Sequence, residues 1–437
     1  MVSIELITVG DELLIGQVVD TNSAWIGREL GRIGAQVDRI VSVHDAAEDI
    51  REAVRTALGR ADVVVMTGGL GPTQDDITKT TLADLFSGGR MRRDEAVFEH
   101  VRRITAERGI VFNELNRAQA LVPDGCTVLP NRVGTAPGML FVRSDETTNG
   151  REKLLFSLPG VPFEMKELLA EQVIPAIRSR FALRSVVHRT MMTFGLAESA
   201  MAERIAPWEE ALPEWLHLAY LPNARGIRLR LSAYDVEPAA ANAEIDRQFA
   251  KLNEYVGPYL LGYEPASVES AVATILRQKQ QTLAVAESCT GGSISARITA
   301  SAGAAEYYMG GVTSYSNEAK VRLLGVSAAD IERHGAVSEP VARQMAEGAL
   351  TRFGTDYAIA TTGVAGPGGG TPEKPVGTVW MALAWRTEQG RIETLARLMR
   401  FGELREQNIE RAATHALNML RLHLLGVSEA FQQTGML

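Results

Sequence analysis

Three short apolar stretches of this 437-residue chain each run directly into a glycine-rich turn. The stretches and their turns are 61–66 with 67–71, 282–286 with 287–292, and 360–362 with 363–370. A buried strand that ends in such a turn before a helix lifts the turn side chains out of the sheet. The same geometry leaves backbone N–H groups free to bind a phosphate or an oxyanion. The pattern therefore predicts α/β domains whose binding sites lie in these turns.

The first 170 residues alternate apolar strands with amphipathic helices. The predicted strands are 4–9, 35–43 and 61–66, and the predicted helices are one that ends near residue 30 and one at 50–58. Buried strands that alternate with helices indicate a parallel sheet covered on both faces. Ligands of such sheets bind at the carboxyl ends of the strands. The turns at 10–12 and 67–71 are therefore expected at one edge of the sheet.

The pattern changes over residues 171–262, which predict a small α+β domain. A hairpin is expected from strands at 216–220 and 226–234, because the second strand alternates apolar with polar residues. The hairpin carries three arginines that could contact nucleic acid or could form a solvated strand face, namely Arg225, Arg228 and Arg230.

Residues 263–437 return to the strand and helix alternation and predict a second α/β domain. Its strands are expected at 282–286, 309–314, 357–362 and 378–385, and its last helix at 406–425. The predicted domains are therefore 1–170, 171–262 and 263–437. The predicted fold class is α/β, with a parallel-sheet N-terminal domain, a small α+β middle domain and a C-terminal α/β domain.

Composition narrows the classes of function. The formal net charge is 45 − 53 = −8, and direct nucleic-acid binding is not expected of a chain with this balance. Two cysteines, Cys126 and Cys289, cannot build a disulfide framework. The first residues lack the features of a signal peptide, and no apolar run approaches the roughly 18 residues of a membrane span. These features predict a cytoplasmic protein without a membrane partner.

Ser288 is the candidate nucleophile of the C-terminal domain, because it lies in the sharp turn after the strand at 282–286. The alternative is that this serine caps the following helix. Lys320 stands 320 − 288 = 32 residues later, about the span of one crossover unit. A lysine kept neutral by burial can act as the base for a serine, whereas the alternative is a surface lysine. Cys289 is a second possible nucleophile.

The other two turns suggest phosphate sites. The loop at 363–370 has little side-chain bulk, so a phosphate or a ribose can approach its backbone closely. In the N-terminal domain, the turn at 67–71 precedes Asp75 and Asp76, and this order suggests phosphate binding together with a divalent cation. One of the two aspartates could instead cap the next helix.

Five motifs of the C-terminal domain resemble the nicotinamide mononucleotide deamidase domain of the CinA (competence/damage-inducible protein) family. They are AESCTGG (286–292), SYSNEAK (314–320), HGAVSEPV (334–341), GVAGPGGG (363–370) and EKPVGTVW (373–380). The resemblance implies hydrolysis of nicotinamide mononucleotide to nicotinate mononucleotide and ammonia, without a cofactor. It also implies that Ser288 is the nucleophile, that Lys320 is its base, and that Tyr315 polarises the serine or protonates the leaving ammonia.

The same resemblance gives the substrate-binding residues of the C-terminal domain. They are Glu287, Thr290, Gly291, Gly292, Asn317, Gly363, Val364, Ala365, Gly366 and Arg405. The family usually has Gly-Asp-Arg near the last helix, whereas this chain has Glu403-Leu404-Arg405. Which glycine-rich turn binds the phosphate and which one forms the oxyanion hole is left open.

The N-terminal half resembles the molybdopterin-binding-like domain of the same family. The matching motifs are GDELLIGQVVDTN (10–22), TGGLGPTQDDIT (67–78), NRVGTAPG (131–138) and LPGVPFEM (158–165). The resemblance implies a metal-dependent pyrophosphatase that cleaves ADP-ribose to AMP and ribose 5-phosphate. The implied substrate-binding residues are Gly10, Asn22, Thr67, Gly68, Gly69, Gly71 and Asn131, and the implied ligands of Mg²⁺ or a similar metal are Glu12, Asp75 and Asp76.

Two other functions remain open on the sequence alone. The N-terminal domain could bind molybdopterin, because the fold does not distinguish that role from pyrophosphate hydrolysis. The chain could also be a scaffold for DNA uptake or recombination, as the family name suggests. A homodimer is expected by family analogy. Asp11 stands where the family more often has threonine, and this extra carboxylate could alter metal binding.

Overall fold

The computed structural model describes residues 2–73, 76–144, 152–223 and 225–427. The chain forms two compact units. The first unit is Met1–Val187 with Ala233–Ala240, and the second unit is His188–Ser232 with Ala241–Leu437. Asp75, one of the three predicted metal ligands, lies outside the described residues.

The strands of the described chain are β1 Ile4–Val9, β2 Val37–Val43, β3 Val63–Thr67, β4 Met91–Arg93, β5 Leu121–Pro123, β6 Thr127–Leu129, β7 Gly138–Arg143, β8 Lys153–Leu158, β9 Val186–Thr193, β10 Leu216–Asn223, β11 Gly226–Tyr234, β12 Leu260–Tyr263, β13 Leu283–Glu287, β14 Tyr308–Thr313, β15 Tyr357–Gly363, β16 Thr378–Arg386 and β17 Ile392–Arg400. The helices are α1 Asp11–Leu14, α2 Thr21–Arg32, α3 Ala47–Arg60, α4 Thr78–Ser87, α5 Glu95–Glu107, α6 Glu114–Ala118, α7 Pro162–Leu168, α8 Ile174–Arg180, α9 Glu198–Glu209, α10 Pro238–Val256, α11 Val268–Lys279, α12 Ser293–Thr299, α13 Asn317–Leu324, α14 Ala328–His334, α15 Glu339–Phe353 and α16 Arg405–Leu424.

The main sheet of the first unit has the strand order β2-β1-β3-β8-β7-β6. The three predicted strands β2, β1 and β3 are parallel, as expected, and β8 continues them in parallel, but β7 is antiparallel to both β8 and β6. Only nine residues, 144–152, join β7 to β8. A parallel connection needs about a dozen residues or more, so this short link requires an antiparallel pair. The predicted parallel sheet is therefore a mixed one.

Two apolar cores cover the two faces of this sheet. Ile4 and Leu6 of β1 pack in one core with Ile26 of α2, whereas Ile7 and Val9 pack in the other core with α3. Strand side chains alternate between the faces, so the wholly buried strand β1 serves both cores. The parallel register brings the carboxyl ends of β1, β3 and β8 to one edge, where the turns at 10–12 and 67–71 follow.

The middle part of the chain forms a four-stranded sheet with the order β10-β11-β9-β12. The apolar residues of β11 are buried, as the alternation predicted, and its arginines are only partly exposed. Arg225 donates a hydrogen bond from Nε to Glu410 Oε1 of α16 at 2.7 Å. That ion pair gives Arg225 a contact within the second unit.

The C-terminal sheet has the order β14-β13-β15-β16-β17. Strand β13 is parallel to β14 and β15, whereas β16 and β17 continue antiparallel. Helix α16 packs in the core on one face and α15 in the core on the other. Strand β17 is absent from the sequence-based prediction, because it is an edge strand in which charged residues interrupt the apolar ones. The α/β fold class is confirmed.

Candidate active site

Ser288 and Lys320 meet at the carboxyl edge of the C-terminal sheet. Ser288 directly follows β13, and Lys320 lies in α13, which begins four residues after β14 ends. Because β13 and β14 are parallel neighbours, both residues lie at the same edge. The distance between Lys320 Nζ and Ser288 Oγ is 3.0 Å. The two side chains that the 32-residue spacing suggested as a pair are therefore in hydrogen-bond contact.

The surroundings of Lys320 favour a neutral amine. The side chain is buried, with 1% of its surface exposed. Burial lowers the pKa of Lys320 below its usual 10.5, against a smaller opposing effect of Cys289. Nζ donates to the Ser314 carbonyl at 2.8 Å and lies 3.4 Å from the Tyr315 carbonyl. Two carbonyls match the two N–H groups of a neutral amine, so its lone pair is left for the Ser288 hydroxyl.

No described carboxylate lies within 4 Å of Lys320 Nζ, so burial is not offset by an ion pair. The Ser288 N–H donates to the Thr361 carbonyl of β15 at 2.9 Å and fixes the turn.

Burial raises the pKa of the neighbouring Cys289 thiol to about 12. A thiol with that pKa stays protonated and is a poor nucleophile at neutral pH. The contact between Ser288 and Lys320 and the raised pKa of the thiol therefore both favour Ser288 over Cys289.

The Glu287 carboxylate occupies the start of α12. It accepts hydrogen bonds from the N–H groups of Gly292, Ile294 and Ser295 at 2.9–3.0 Å, and from Ser295 Oγ at 2.7 Å. The Gly291 N–H donates to the Ser288 carbonyl at 3.1 Å. The amides of Gly291 and Gly292, predicted to bind substrate, are thus used inside the protein. Glu287 itself, predicted to bind substrate, acts here as an internal helix cap.

Two amides of this turn remain available. Among the described residues, none accepts a hydrogen bond from the N–H groups of Cys289 and Thr290. These groups directly follow Ser288 in the chain, the position of oxyanion-hole donors next to a nucleophile. The Thr290 side chain points into the protein, where its Oγ1 lies 2.7 Å from Thr361 Oγ1. Thr290 can therefore contribute its backbone rather than its hydroxyl.

Replacing Glu287 with glutamine is expected to lower the free energy of unfolding by about 1–3 kcal/mol, because the amide group cannot accept four buried hydrogen bonds. Urea denaturation at pH 7 measures this loss. The matched control is Glu306→Gln, which removes an exposed carboxylate and is expected to change the stability by less than about 0.5 kcal/mol. Equal stability of the two variants would contradict the capping role.

The loop after β15 provides a second set of backbone donors. The Val364 N–H donates to the Thr378 carbonyl at 2.8 Å, whereas no described residue accepts from the N–H groups of Ala365 and Gly366. Gly363 ends β15 and pairs with β16. Gly366 has a φ of 94°, and a Cβ atom there would lie 2.6 Å from Val376 Cγ1, so only glycine fits.

Arg405 connects this loop to the segment after β14. Its Nη1 donates to the Gly366 carbonyl at 2.8 Å, and its Nη2 donates to the Tyr315 hydroxyl at 3.2 Å. The departure at Glu403 and Leu404 therefore leaves Arg405 beside the loop. Asn408, which sequence reasoning missed, donates from Nδ2 to the Ala365 carbonyl at 3.0 Å. A buried asparagine three residues after a candidate arginine was the available signal.

The structure separates the Tyr315 hydroxyl from the serine. The Tyr315 side chain is 62% exposed, and its hydroxyl contacts Arg405 rather than Ser288. Its backbone carbonyl is the part that lies near Lys320 Nζ. Asn317 is exposed at the first position of α13. The catalytic role of Tyr315 and the substrate-binding role of Asn317 stay predictions.

The predicted residues of the N-terminal domain line adjoining cavities. A cavity of about 380 Å³ is lined by the backbone and side chains of Gly10, Glu12, Gly68, Gly69, Gly71 and Asp76. A smaller cavity of about 150 Å³ shares Glu12 and Gly68 and adds Asn22 and Thr67. Asn131 lines a third, larger groove of about 930 Å³ beside α5. The turns that end β1 and β3 thus meet at one edge, as expected.

Asp76 stabilises its own loop. Its carboxylate accepts from the Gly71 N–H at 2.8 Å and from the Thr73 N–H at 2.9 Å, and it also contacts the Thr73 hydroxyl. Asp76 therefore acts as a cap, which was the alternative to metal binding, although it caps its own turn rather than α4. Glu12 is exposed, and no group of three His, Cys, Asp or Glu residues in the described chain is arranged to hold a metal ion. The described residues do not assemble a metal centre.

Asn22, Thr67 and Asn131 hold loops together. Asn22 Nδ2 donates to the Gly160 carbonyl at 2.8 Å, and the Thr67 hydroxyl donates to the Pro159 carbonyl at 2.8 Å. Asn22 Oδ1 is buried without a hydrogen-bond partner among the described residues. Asn131 uses Nδ2 on the Ala136 carbonyl and Oδ1 on backbone N–H groups.

Sequence reasoning missed two titratable residues near this edge. Glu164 lines the 380 Å³ cavity, and burial raises the pKa of its carboxyl. Lys79 donates to the Ala118 carbonyl at 3.1 Å, and burial lowers its pKa to about 8. Glu164 belongs to the 158–165 motif, which directly follows β8, and a carboxylate just past a strand end was the signal.

Comparison with known proteins defines the family. Residues 5–179 match the Probable molybdopterin binding domain, residues 188–262 match the Damage-inducible protein CinA KH domain, and residues 265–424 match the CinA C-terminal domain. None of the described helices is both long and apolar enough to cross a membrane. The predicted boundaries at residues 170 and 262 and the cytoplasmic location stay predictions.

Similar proteins cover almost the whole chain. A CinA-like protein of Cytophaga hutchinsonii is 41% identical over 420 residues, which are 96% of this chain and 97% of the relative. A CinA-like protein of Gemmatimonas aurantiaca is 42% identical over 420 residues, 96% of this chain and 95% of the relative. The crystal structure of competence/damage inducible protein CihA from Agrobacterium tumefaciens is 38% identical and covers 36% of this chain and 93% of its own, with a TM-score of 0.34. The resemblance found in the motifs is confirmed, and the chain belongs to the CinA family.

Proposed function

We propose that the second unit hydrolyses the carboxamide of nicotinamide mononucleotide and yields nicotinate mononucleotide and ammonia. One observation carries this proposal, namely the 3.0 Å contact between Ser288 Oγ and the Nζ of a buried lysine. A serine paired with a neutral amine is a nucleophile with its own base, the arrangement that acyl transfer requires. The family resemblance supplies the substrate.

Lys320 takes the proton of the Ser288 hydroxyl while Oγ attacks the carboxamide carbon. The N–H groups of Cys289 and Thr290 donate to the oxygen that becomes negative. The C–N bond then breaks, and Lys320 returns the proton to the leaving nitrogen, which departs as ammonia. A water molecule then attacks the acyl carbon and gives a proton to Lys320. The bond between that carbon and Ser288 Oγ breaks, Lys320 returns the proton to Oγ, and the acid that forms loses its remaining proton to solvent and leaves as the carboxylate.

Arg405 and the loop after β15 are proposed to hold the 5′-phosphate. The amides at the start of α12 already bind the Glu287 carboxylate, which leaves the amides of Ala365 and Gly366 as the available donors. Arg405 adds a positive charge beside that loop. This division gives the oxyanion to the turn after β13 and the phosphate to the loop after β15.

We further propose that the first unit hydrolyses ADP-ribose to AMP and ribose 5-phosphate. The support is the set of adjoining cavities at the turns after β1 and β3, which are lined by the glycine backbone of both turns. Pyrophosphate oxygens accept hydrogen bonds, and the backbone N–H groups of a glycine-rich turn can approach them closely. The family resemblance implies a divalent metal ion for this reaction, and Glu12 and Asp76, two of its three implied ligands, line the same cavity.

Ammonia release from nicotinamide mononucleotide by the wild-type chain with EDTA tests the first proposal. Turnover is expected to be unchanged by EDTA, because the Ser288 and Lys320 pair uses no metal. The same preparation is then given ADP-ribose with EDTA and with Mg²⁺, and AMP is measured. Circular dichroism checks that the preparation is folded. Folded protein that releases no ammonia would refute the amidase, and tight molybdopterin binding without AMP release would favour a pterin-binding first unit.

A further inference from the structure

We infer that Glu164 is the general base of the hydrolysis proposed for the first unit, an inference that rests on that proposed function. Glu164 lies on α7, just after the carboxyl end of β8, and lines the 380 Å³ cavity together with the glycine turn 68–71. The predicted pyrophosphate-binding turn and this carboxyl therefore face one cavity. A base for a hydrolytic water has to lie within reach of the phosphorus that is attacked.

The two oxygens of the Glu164 carboxyl have different surroundings. Oε2 accepts a hydrogen bond from Asn131 Nδ2 at 2.6 Å. No described residue donates to Oε1, and Oε1 is not among the buried atoms that lack a partner. Only 9% of the residue surface is exposed, and the residue lines the cavity. One oxygen is held, and the other is free for a water molecule.

The backbone around Gly134 fixes the carboxyl in place. A Cβ atom on Gly134 would lie 2.0 Å from the Glu164 carboxyl group, so only glycine permits this close approach. The Gly134 N–H donates to Asn131 Oδ1 at 2.9 Å, and the Gly134 carbonyl lies 3.1 Å from His100 Nε2. Asn131 therefore holds both the loop and the acid. Such fixed geometry is expected of a group that has to act at one point.

Among the acids that line the cavity, Glu164 is the one best suited to act as a base. Burial raises the pKa of Glu164, against the hydrogen bond from Asn131 and the charge of Arg108. The other acids of the cavity are Glu12, Asp45 and Asp76. Asp76 is bonded to its own turn, Asp45 accepts the Asp11 N–H, and Glu12 is exposed. A carboxylate with a raised pKa holds a proton more strongly and is a better base near neutral pH.

The step is balanced without a further reactant. Glu164 takes one proton from a water molecule while the water oxygen forms a bond to one phosphorus of ADP-ribose. The bond between that phosphorus and the bridging oxygen breaks, and the bridging oxygen leaves with the other phosphate. The products are AMP and ribose 5-phosphate, and the proton on Glu164 passes to solvent.

The test is the pH dependence of AMP release from ADP-ribose by the full chain. In wild type, the rate is expected to rise with pH through the pKa of Glu164, which must lose its proton to act. Glu164→Gln keeps an oxygen that accepts the hydrogen bond from Asn131. This variant is expected to lower kcat about 100-fold or more, to leave KM within about threefold and to lose the rise of the rate with pH. Glu164→Asp is expected to retain the rise of the rate with pH, at a reduced kcat.

Glu171→Gln is the matched control, because Glu171 is an exposed carboxylate that pairs with Arg132 outside the cavity. It is expected to keep wild-type kinetics and the same pH profile. If wild type releases AMP and Glu164→Gln keeps the full kcat and the same rise of rate with pH, the role of Glu164 is overturned while the hydrolase function stands. Binding of ADP-ribose by wild type without AMP release would overturn the hydrolase function together with the base that rests on it.

Discussion

Replacing Ser288 with alanine is expected to lower the rate of ammonia release from nicotinamide mononucleotide at least about 1,000-fold. The change removes the only hydroxyl that lies within hydrogen-bond distance of Lys320 Nζ in the described chain. The Ser288 backbone bond to the Thr361 carbonyl is unaffected, so the turn is expected to remain folded. A coupled ammonia assay at saturating substrate measures the loss, and circular dichroism checks the fold.

Ser301→Ala is the matched control for this experiment, because Ser301 is exposed after α12 and outside the site. It is expected to retain wild-type turnover. Full activity of Ser288→Ala would refute the serine mechanism. Loss of activity only on additional replacement of Cys289 would then assign the nucleophile to the thiol, despite its raised pKa.

Replacing Lys320 with alanine is expected to be nearly as damaging, about 100- to 10,000-fold in kcat. Arginine at this position is not expected to restore the rate, because a guanidinium stays protonated and cannot accept the serine proton. In wild type, the rate should rise with pH as Lys320 loses its proton and level off above its pKa. Burial lowers that pKa, so the plateau should begin below pH 10.5.

A profile of kcat/KM from pH 6 to pH 10.5 measures this rise and its plateau. Lys279→Ala is the control, because Lys279 is a lysine of the same unit that donates to the Leu424 carbonyl and lies outside the motifs of the site. An active Lys320→Arg variant, or a rate that is still rising steeply at pH 10.5, would contradict the proposed base.

The pairing of Ser288 with Lys320 could be predicted because it depends on chain order. A residue that follows one buried strand and a residue in the helix after the next strand must lie at the same edge when the strands are parallel. The glycine-rich turns could be placed for the same reason. The strand and helix pattern of the α/β domains followed from apolar periodicity, which long buried segments show clearly.

The direction of side chains inside tight turns could not be predicted. Glu287 and Asp76 are acids next to glycine-rich turns, and the sequence pattern fits a ligand contact as well as an internal cap. Only the folded backbone shows which amides each carboxylate meets. Glu164 was missed because its burial depends on Gly134 and Asn131, which are about 30 residues away in the sequence. Strand β17 was missed because an edge strand needs only one apolar face.

The capping of α12 by Glu287 has a consequence for selectivity among cellular metabolites. An uncapped helix start next to the nucleophile would attract phosphorylated compounds of every kind, since its partial positive charge binds any anion. A carboxylate supplied by the protein cancels this attraction beside Ser288. For the proposed amidase, the surroundings of Ser288 are thereby left to the uncharged carboxamide, and a substrate that placed its phosphate there would gain little. The proposed orientation of the substrate would then follow from the turn itself, before any ligand arrives.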